Sequence, residues 1–196
     1  MRVDITQETD PDDPTLEIPW SDPDDARCCY IDLKANPAVA GNLEECRRYP
    51  ALAGLLRQAN SPHTPWRTAK CDVWATSELT EVELHFCLPN KVGSYVDLLF
   101  DRAELNKSLE LNLRLAGNIA AHLRNARLSA ELEVFARRCL FHPEERWGYY
   151  LTVFTHAYGA TPQGAEHEWD LATAALAEAL EEIARGAEPR FLAQQD

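Results

Sequence analysis

Apolar and polar residues alternate in four stretches of the second half of the chain, and this period is typical of β-strands. The stretches are Lys70–Thr76, Gly93–Phe100, Ser129–Phe141 and Gly148–Tyr158. After the second and the fourth stretch, apolar residues recur at steps of three and four over about 105–126 and 165–185. This spacing predicts two amphipathic helices, so the chain is expected to contain two successive β-β-α units.

The order of these elements predicts the fold class α+β. We expect an antiparallel sheet of four or five strands, built as tandem β-β-α units, with two amphipathic helices on one face. The segment Gly93–Phe100 (GSYVDLLF) aligns without gaps to Gly148–Thr155 (GYYLTVFT), which favours an internal duplication. Cys28–Lys34 is a predicted strand at the sheet edge, and Thr80–Glu83 has the form of a helix capping box.

The composition divides the chain into five parts. Residues 1–25 form an acidic, proline-rich tail, and residues 26–60 are predicted to form a strand and short helices. A linker over 61–66 leads to the α+β domain over 67–186, and a C-terminal tail over 187–196 follows. The first part is expected to lack structure of its own because its charge is high and its hydrophobicity low. Leu16, Ile18 and Trp20 alternate within it and predict a short extended piece that can dock on an apolar surface. Pro50 suits the first turn of a helix that packs on the main domain.

The charge of the chain bears on its partners. The formal net charge is −13, and such a surface repels nucleic acid and anionic lipid, so we expect neither and favour a basic protein partner. No run of 18 apolar residues occurs, which argues against a membrane span. The first residues lack the pattern of a signal peptide, so a cytoplasmic location is expected.

The residue types and their spacing do not predict a disulfide framework, a metal site or a cofactor site. Hydrophobic residues make up 45% of the chain, enough for a core without a disulfide or a metal. The six cysteines lack zinc-ligand spacing and are expected to be reduced, and neither a metal nor a cofactor is predicted. Phosphate-binding and nucleophile motifs are also absent from the sequence.

Alternation along the strands separates two faces of the predicted sheet. The core face under the helices takes Val96, Leu98, Phe100, Leu151 and Val153. The opposite face, here called the second face, carries the candidate binding residues Asp72, Trp74, Tyr95, Asp97, Arg137, Tyr150, Thr152 and His156. The alternation around Arg137 can also be aligned one residue later, and Arg138 would then replace Arg137 on this face. This face is too aromatic to stand bare in water, so we expect it to be covered or to bind something.

Three coverings of the second face are open at this point. Residues 1–60 can fold back over it, a second copy of the chain can cover it in a homodimer, or a ligand or peptide can occupy it. Asp72 and Asp97 are unusual in mid-strand. With His156 and an arginine they form either an acid–base site or structural ion pairs.

The favoured function is that of a non-enzymatic protein-interaction module of a cytosolic protein, such as an acidic inhibitor or immunity-type partner of a basic protein. The alternative is a small-molecule-binding protein or enzyme that uses an Asp/Arg/His cluster on the second face. Whether the chain is an enzyme stays open.

Overall fold

The computed structural model describes residues 1–25, 28–78 and 87–192. In this part of the chain, six strands form one mixed sheet and helices pack on one of its faces. The class α+β is therefore confirmed. The predicted capping box at Thr80–Glu83 and the last residues of the predicted C-terminal tail, 193–196, lie outside the described residues.

The sheet combines antiparallel and parallel pairs. Its strands are β1 (Arg2–Glu8), β2 (Thr15–Ile18), β3 (Trp66–Thr76), β4 (Asn90–Phe100), β5 (Ala130–Phe141) and β6 (Arg146–Gly159). They lie in the order β1-β5-β6-β4-β3, and β2 also pairs with β5. Strands β3 to β6 pair antiparallel, whereas β1 and β2 run parallel to β5. The prediction of an antiparallel sheet of four or five strands is corrected to a mixed sheet of six, and the duplication stays a prediction.

The two additional strands come from the segment that the sequence predicts to be an acidic tail. β1 and β2 lie in line along the same edge of β5, β1 beside Glu131–Arg137 and β2 beside Arg138–Phe141. Most side chains of β1 are exposed and Val3 is buried, so the segment has little apolar pattern. The turn between the two strands holds Asp10, Pro11, Asp12, Asp13 and Pro14, and in it the backbone N–H of Asp13 donates to the carbonyl of Asp10.

The segment from 28 to 60 packs on the sheet mainly through helices. α1 (Glu44–Arg48) and α2 (Pro50–Ala59) follow a 3-10 turn over Pro37–Asn42. The predicted strand at Cys28–Lys34 does not form. The carboxylate of Asp32 accepts from the backbone N–H groups of Lys34 and Ala35 at 3.0 and 3.2 Å, and such a turn ends an extended conformation.

The two long helices follow the predicted amphipathic pattern. α3 (Leu109–Leu123) begins at Ser108, whose hydroxyl accepts from the backbone N–H of Leu111 at 3.2 Å. α4 (Pro162–Leu192) continues past Gly186, where the sequence predicts its end, because a glycine weakens a helix without ending it. None of the helices in the described ranges is both long enough and apolar enough to cross a membrane.

The core lies between the sheet and the helices. The apolar set predicted for this face is buried there: Val96, Leu98, Phe100, Leu151 and Val153. Trp169 of α4 is fully buried against it, and its indole N–H donates to the hydroxyl of Ser94 at 3.0 Å. Leu52 and Leu56 of α2 join the same core. The helices thus occupy one face of the sheet and leave the second face to other parts of the chain.

Candidate functional site

One end of the second face is covered by residues 16–20 together with Tyr30, here called the N-terminal segment. This covered end consists of Ala69, Leu99, Cys139 and Tyr150, all of which are buried. Ile18, with Leu16, Trp20 and Tyr30 at its edge, packs against these residues. The indole N–H of Trp20 donates to the carbonyl of Ala69 at 2.8 Å and fixes the segment in place. Part of residues 1–60 therefore covers this end of the face, the first of the three coverings considered.

The other end of the second face carries a cluster of half-buried aromatic rings. This aromatic end consists of Trp74, Tyr95, Phe135 and Phe154, with His156 beside them. The ring of Phe154 lies 5.6 Å from the rings of Tyr95 and Phe135, centre to centre, and 6.0 Å from His156. Trp74 lies edge-on to His156 at 6.0 Å. These distances and tilts are those of favourable aromatic pairs.

A glycine positions the indole of Trp74. Gly93 lies directly opposite Trp74 in the β3–β4 pair. A Cβ atom at Gly93 would stand 2.6 Å from Cε2 of Trp74, closer than real contacts allow. The missing side chain lets the indole lie flat on the sheet, so the aromatic end is a continuous surface rather than a set of separate rings.

A row of hydrogen bonds crosses the sheet between the two ends. The hydroxyl of Thr152 donates to the carboxylate of Asp97 at 2.7 Å and accepts from Nη1 of Arg137 at 3.2 Å. Nε of Arg137 donates to the carboxylate of Glu8 at 2.7 Å. This polar chain joins β4, β6, β5 and β1. It places Arg137, not Arg138, on the second face, and it pairs Asp97 with Arg137 through a hydroxyl.

Burial dominates the electrostatics of Asp97. The residue is 4% exposed, and burial raises the pKa of its carboxyl to about 7, although the hydrogen bond from Thr152 and the charge of Arg137 act in the opposite direction. Burial and the nearby Asp97 raise the pKa of Tyr150 to about 12. Asp97 therefore changes charge near neutral pH.

Carboxylates border the aromatic end on the β5 side. Glu133 and Glu131 alternate with Phe135 along β5, and Asp4 lies opposite Glu133 on β1. Burial raises the pKa of Glu133, and the neighbouring Glu131 adds to the effect. Nδ1 of His156 lies 3.6 Å from the Glu133 carboxylate. Glu131 and Glu133 were not predicted as site residues, although they alternate in step with Arg137 along β5 and so lie on the same face.

The eight predicted site residues fall into distinct places on the second face. Tyr150 lies in the covered end, Trp74, Tyr95 and His156 in the aromatic end, and Asp97, Thr152 and Arg137 in the polar chain. Asp72 is exposed, and its carboxylate accepts from the backbone N–H of Val73 at 2.7 Å. Asp72 and Asp97 therefore have different surroundings and different partners.

The described residues hold no cluster of three or more His, Cys, Asp or Glu side chains suited to a metal ion, and the six cysteines are free. Comparison of the chain with protein-family models, with curated proteins and with solved structures found no match. The geometry of the second face is therefore the observation from which a function can be inferred.

Proposed function

We propose that this chain is a non-enzymatic interaction module that binds a basic protein segment at its aromatic end. The observation that carries this proposal is the contrast within one sheet face, where one end is sealed by the N-terminal segment and the other presents half-buried rings. Aromatic side chains on a rigid sheet supply contact area at a low cost in conformational entropy, which makes them frequent anchors of protein interfaces.

The charges around the aromatic end favour a basic partner. Glu133 lines one side of the cluster and Asp72 the other, whereas Asp4 already pairs with Arg2 at 2.6 Å. The guanidinium of Arg137 lies over the rings of Phe135 and Phe154, so a cation of a partner would approach from the Trp74 and Tyr95 side. The raised pKa of Glu133 means that its charged form is held at a cost, and a lysine or arginine of a partner would relieve that cost. Such a cation can also form favourable cation–π interactions with the ring faces of Trp74 and Tyr95.

The polar chain supports an interaction module more than an enzyme. Asp97 and Arg137 already satisfy each other through Thr152, and Arg137 is bound at its other side by Glu8. A row of mutually paired groups is typical of structural networks that fix strand register. A small-molecule enzyme at the same face stays the alternative, because a carboxyl with a pKa of about 7 suits acid–base chemistry.

The net charge of −13 supports the proposal of an acidic inhibitor or immunity-type module. An acidic inhibitor or an immunity-type protein neutralises a basic partner, and electrostatic attraction then speeds association and reduces binding to acidic proteins. We place this module in the cytoplasm. A homodimer through the aromatic end is a competing occupant of the same surface.

The test uses labelled peptides of equal length in which leucine alternates with lysine and arginine, with serine, or with glutamate. Fluorescence anisotropy should show saturable binding of the basic peptide alone, weakened by salt. Trp74→Ala should weaken that binding by about tenfold or more. The matched control is Trp147→Ala, because Trp147 is 51% exposed and lies outside the aromatic end.

Three outcomes would overturn the proposal. The serine peptide could bind as tightly as the basic one, the two tryptophan variants could lose affinity equally, or the basic peptide could fail to bind. Sedimentation of the free protein gives a further check, since a stable dimer that Trp74→Ala dissociates would show that the aromatic end is occupied by a second copy.

A further inference from the structure

The strand β3 forms one edge of the sheet, and the two halves of its outer side differ. In the first half, Nζ of Lys34 donates to the carbonyl of Trp66 at 3.0 Å, and the indole N–H of Trp20 donates to the carbonyl of Ala69 at 2.8 Å. Beyond the shift of register next to Ala69, no strand of the described residues pairs with the outer side of β3. Residues 71–76, here called the open edge, can therefore act as a template for a further strand.

The hydrogen bond of Val73 shows which backbone groups point away from the sheet. Its N–H donates to the carboxylate of Asp72 at 2.7 Å rather than to β4. In an antiparallel pair, successive residues direct their N–H and C=O groups alternately toward the partner strand and away from it. The N–H and C=O groups of Cys71, Val73 and Ala75 thus face outward, and those of the residues between them face β4.

The opposite edge of the sheet is better protected against pairing. There β1 exposes Arg2 and Asp4, which form an ion pair at 2.6 Å, and charged side chains on an edge strand discourage the addition of another strand. The open edge carries one charge, that of Asp72. Because this carboxylate accepts from the N–H of Val73, it satisfies the outward donor until a carbonyl of another strand replaces it.

The side chains along the open edge favour a basic strand over a second copy of the chain. Each copy would bring a net charge of −13, so two copies repel one another. In a basic strand, a lysine or arginine can pair with the exposed Asp72 and lie on the ring of Trp74, both of which are on the second face. On the side of the helices, Val73 is half-buried and Ala75 exposed, which suits apolar residues of the added strand.

We propose that a basic partner adds an extended segment to the open edge as an antiparallel strand in which apolar and basic residues alternate. A carbonyl of this strand accepts from the N–H of Val73 in place of Asp72, whose carboxylate then pairs with the lysine or arginine beside it. The antiparallel direction is slightly more stable per residue than the parallel one. This inference rests on the proposed function, because it names the way in which the partner of the aromatic end is held.

The antiparallel pairing determines which backbone groups of the added strand are used. Residues that lie directly opposite one another direct their side chains to the same face. The apolar residues opposite Val73 and Ala75 therefore direct their N–H groups toward β3, whereas the basic residues opposite Asp72 and Trp74 direct theirs to solvent. Removal of an N–H by methylation should weaken binding in the first set and not in the second.

The probes are three forms of the labelled peptide in which leucine alternates with lysine and arginine, and fluorescence anisotropy is the measurement. One form is unmodified, one is methylated at the backbone nitrogen of each leucine, and one at the backbone nitrogen of each lysine and arginine. The form with methylated leucines should bind at least about tenfold more weakly than the unmodified peptide. The form with methylated basic residues is the matched control and should bind about as tightly as the unmodified peptide.

A variant of the protein tests the same pairing from the other side. Val73→Pro removes the outward N–H, and proline is tolerated in an edge strand where its nitrogen faces solvent. It should weaken binding of the unmodified peptide by about tenfold or more. Val73→Ala is its matched control, because it shortens the side chain and keeps the N–H. The methylated peptides keep the test valid if Val73→Pro fails to fold.

Strand addition is overturned, and the proposed function is not, if the unmodified peptide binds and the form with methylated leucines binds equally well. It is also overturned if both methylated forms lose affinity equally, or if folded Val73→Pro binds the peptide as tightly as Val73→Ala. A dimer of the free protein that Val73→Pro dissociates would overturn it too, since a second copy would then occupy the open edge. Failure of the unmodified peptide to bind would overturn both proposals.

Discussion

The covered end and the aromatic end lie on the same four strands and on the same face of one sheet, yet only the first is sealed. Leu99 is 1% exposed beneath the N-terminal segment, whereas the rings of Trp74 and Phe154 are half-buried. The strands supply apolar side chains to both ends by the same alternation. What differs is a distant segment that covers one end, so the pattern within a strand determines the face but not its cover.

The largest expected effect is on the stability of the covered end. Leu99→Ala should lower the free energy of unfolding by about 3 kcal/mol, because it leaves a cavity beneath the N-terminal segment. Trp74→Ala in the aromatic end should cost about 1 kcal/mol, since its ring already reaches solvent. Urea denaturation followed by circular dichroism measures both. Equal losses would contradict the division of the face into two ends.

Between the two ends, Asp97 should make stability depend on pH. Its folded pKa of about 7 lies above the value near 4 of an unfolded Asp, so the folded protein binds more protons between these values. The contribution of this carboxyl to stability therefore falls as pH rises through that window. Asp97→Asn should remove this dependence and gain on the order of 2 kcal/mol relative to wild type above pH 7.

Urea denaturation of wild type and Asp97→Asn across this pH range provides the measurement, and the difference between the two proteins isolates the one carboxyl. The asparagine oxygen can still accept from Thr152, which keeps the polar chain intact. Two curves that run parallel from acid to neutral pH would contradict the raised pKa.

The attachment of the N-terminal segment should depend on one hydrogen bond. Trp20→Phe removes the indole donor and leaves the carbonyl of Ala69 without it, so the free energy of unfolding should fall by about 1 kcal/mol. Trp74→Phe is the matched change in the aromatic end and should cost less than about 0.5 kcal/mol. Thermal unfolding of both variants distinguishes them, and the reverse order would contradict the covering by Trp20.

The smallest effect concerns the acids beside the aromatic rings. Glu133→Gln removes a charge whose pKa is raised by burial and by Glu131, so it should increase the free energy of unfolding by about 0.5 kcal/mol at low salt. Because its side chain is 42% exposed, the gain should shrink as salt is added. A loss of stability at low salt would contradict this prediction and would show that the contact of Glu133 with His156 outweighs the cost of burial.

Much of the sheet and of its core could be predicted from the local pattern of apolar and polar residues. The alternation in β4 and β6 predicts Val96 and Leu151 for the core and Asp97 and Thr152 for the second face, and the structure places them so. The mixed topology of the sheet could not be predicted from this pattern. Val3 is the buried side chain of β1, and one apolar position in an acidic segment gives no strand signal.

The sheet face on which a side chain lies could be predicted from the sequence, but its hydrogen-bond partner could not. Arg137 was on the correct face, yet its bond to Glu8 joins residues 129 positions apart. Local sequence pattern carries no information on such a contact. The strand predicted at Cys28–Lys34 failed for a local reason, because the carboxylate of Asp32 binds the backbone that a strand would need.

The parallel pairing of β1 and β2 with β5 has a consequence for how the chain folds during synthesis. Arg2 pairs with Glu131 and Ile18 with Phe141, so the first strands made must wait until β5 has left the ribosome. Until then the backbones of β1 and β2 have no strand to pair with, and closing so long a loop is slow. The strands β1 and β2 therefore stay unpaired for most of the synthesis of the chain. Chaperones can act on the nascent chain during this period.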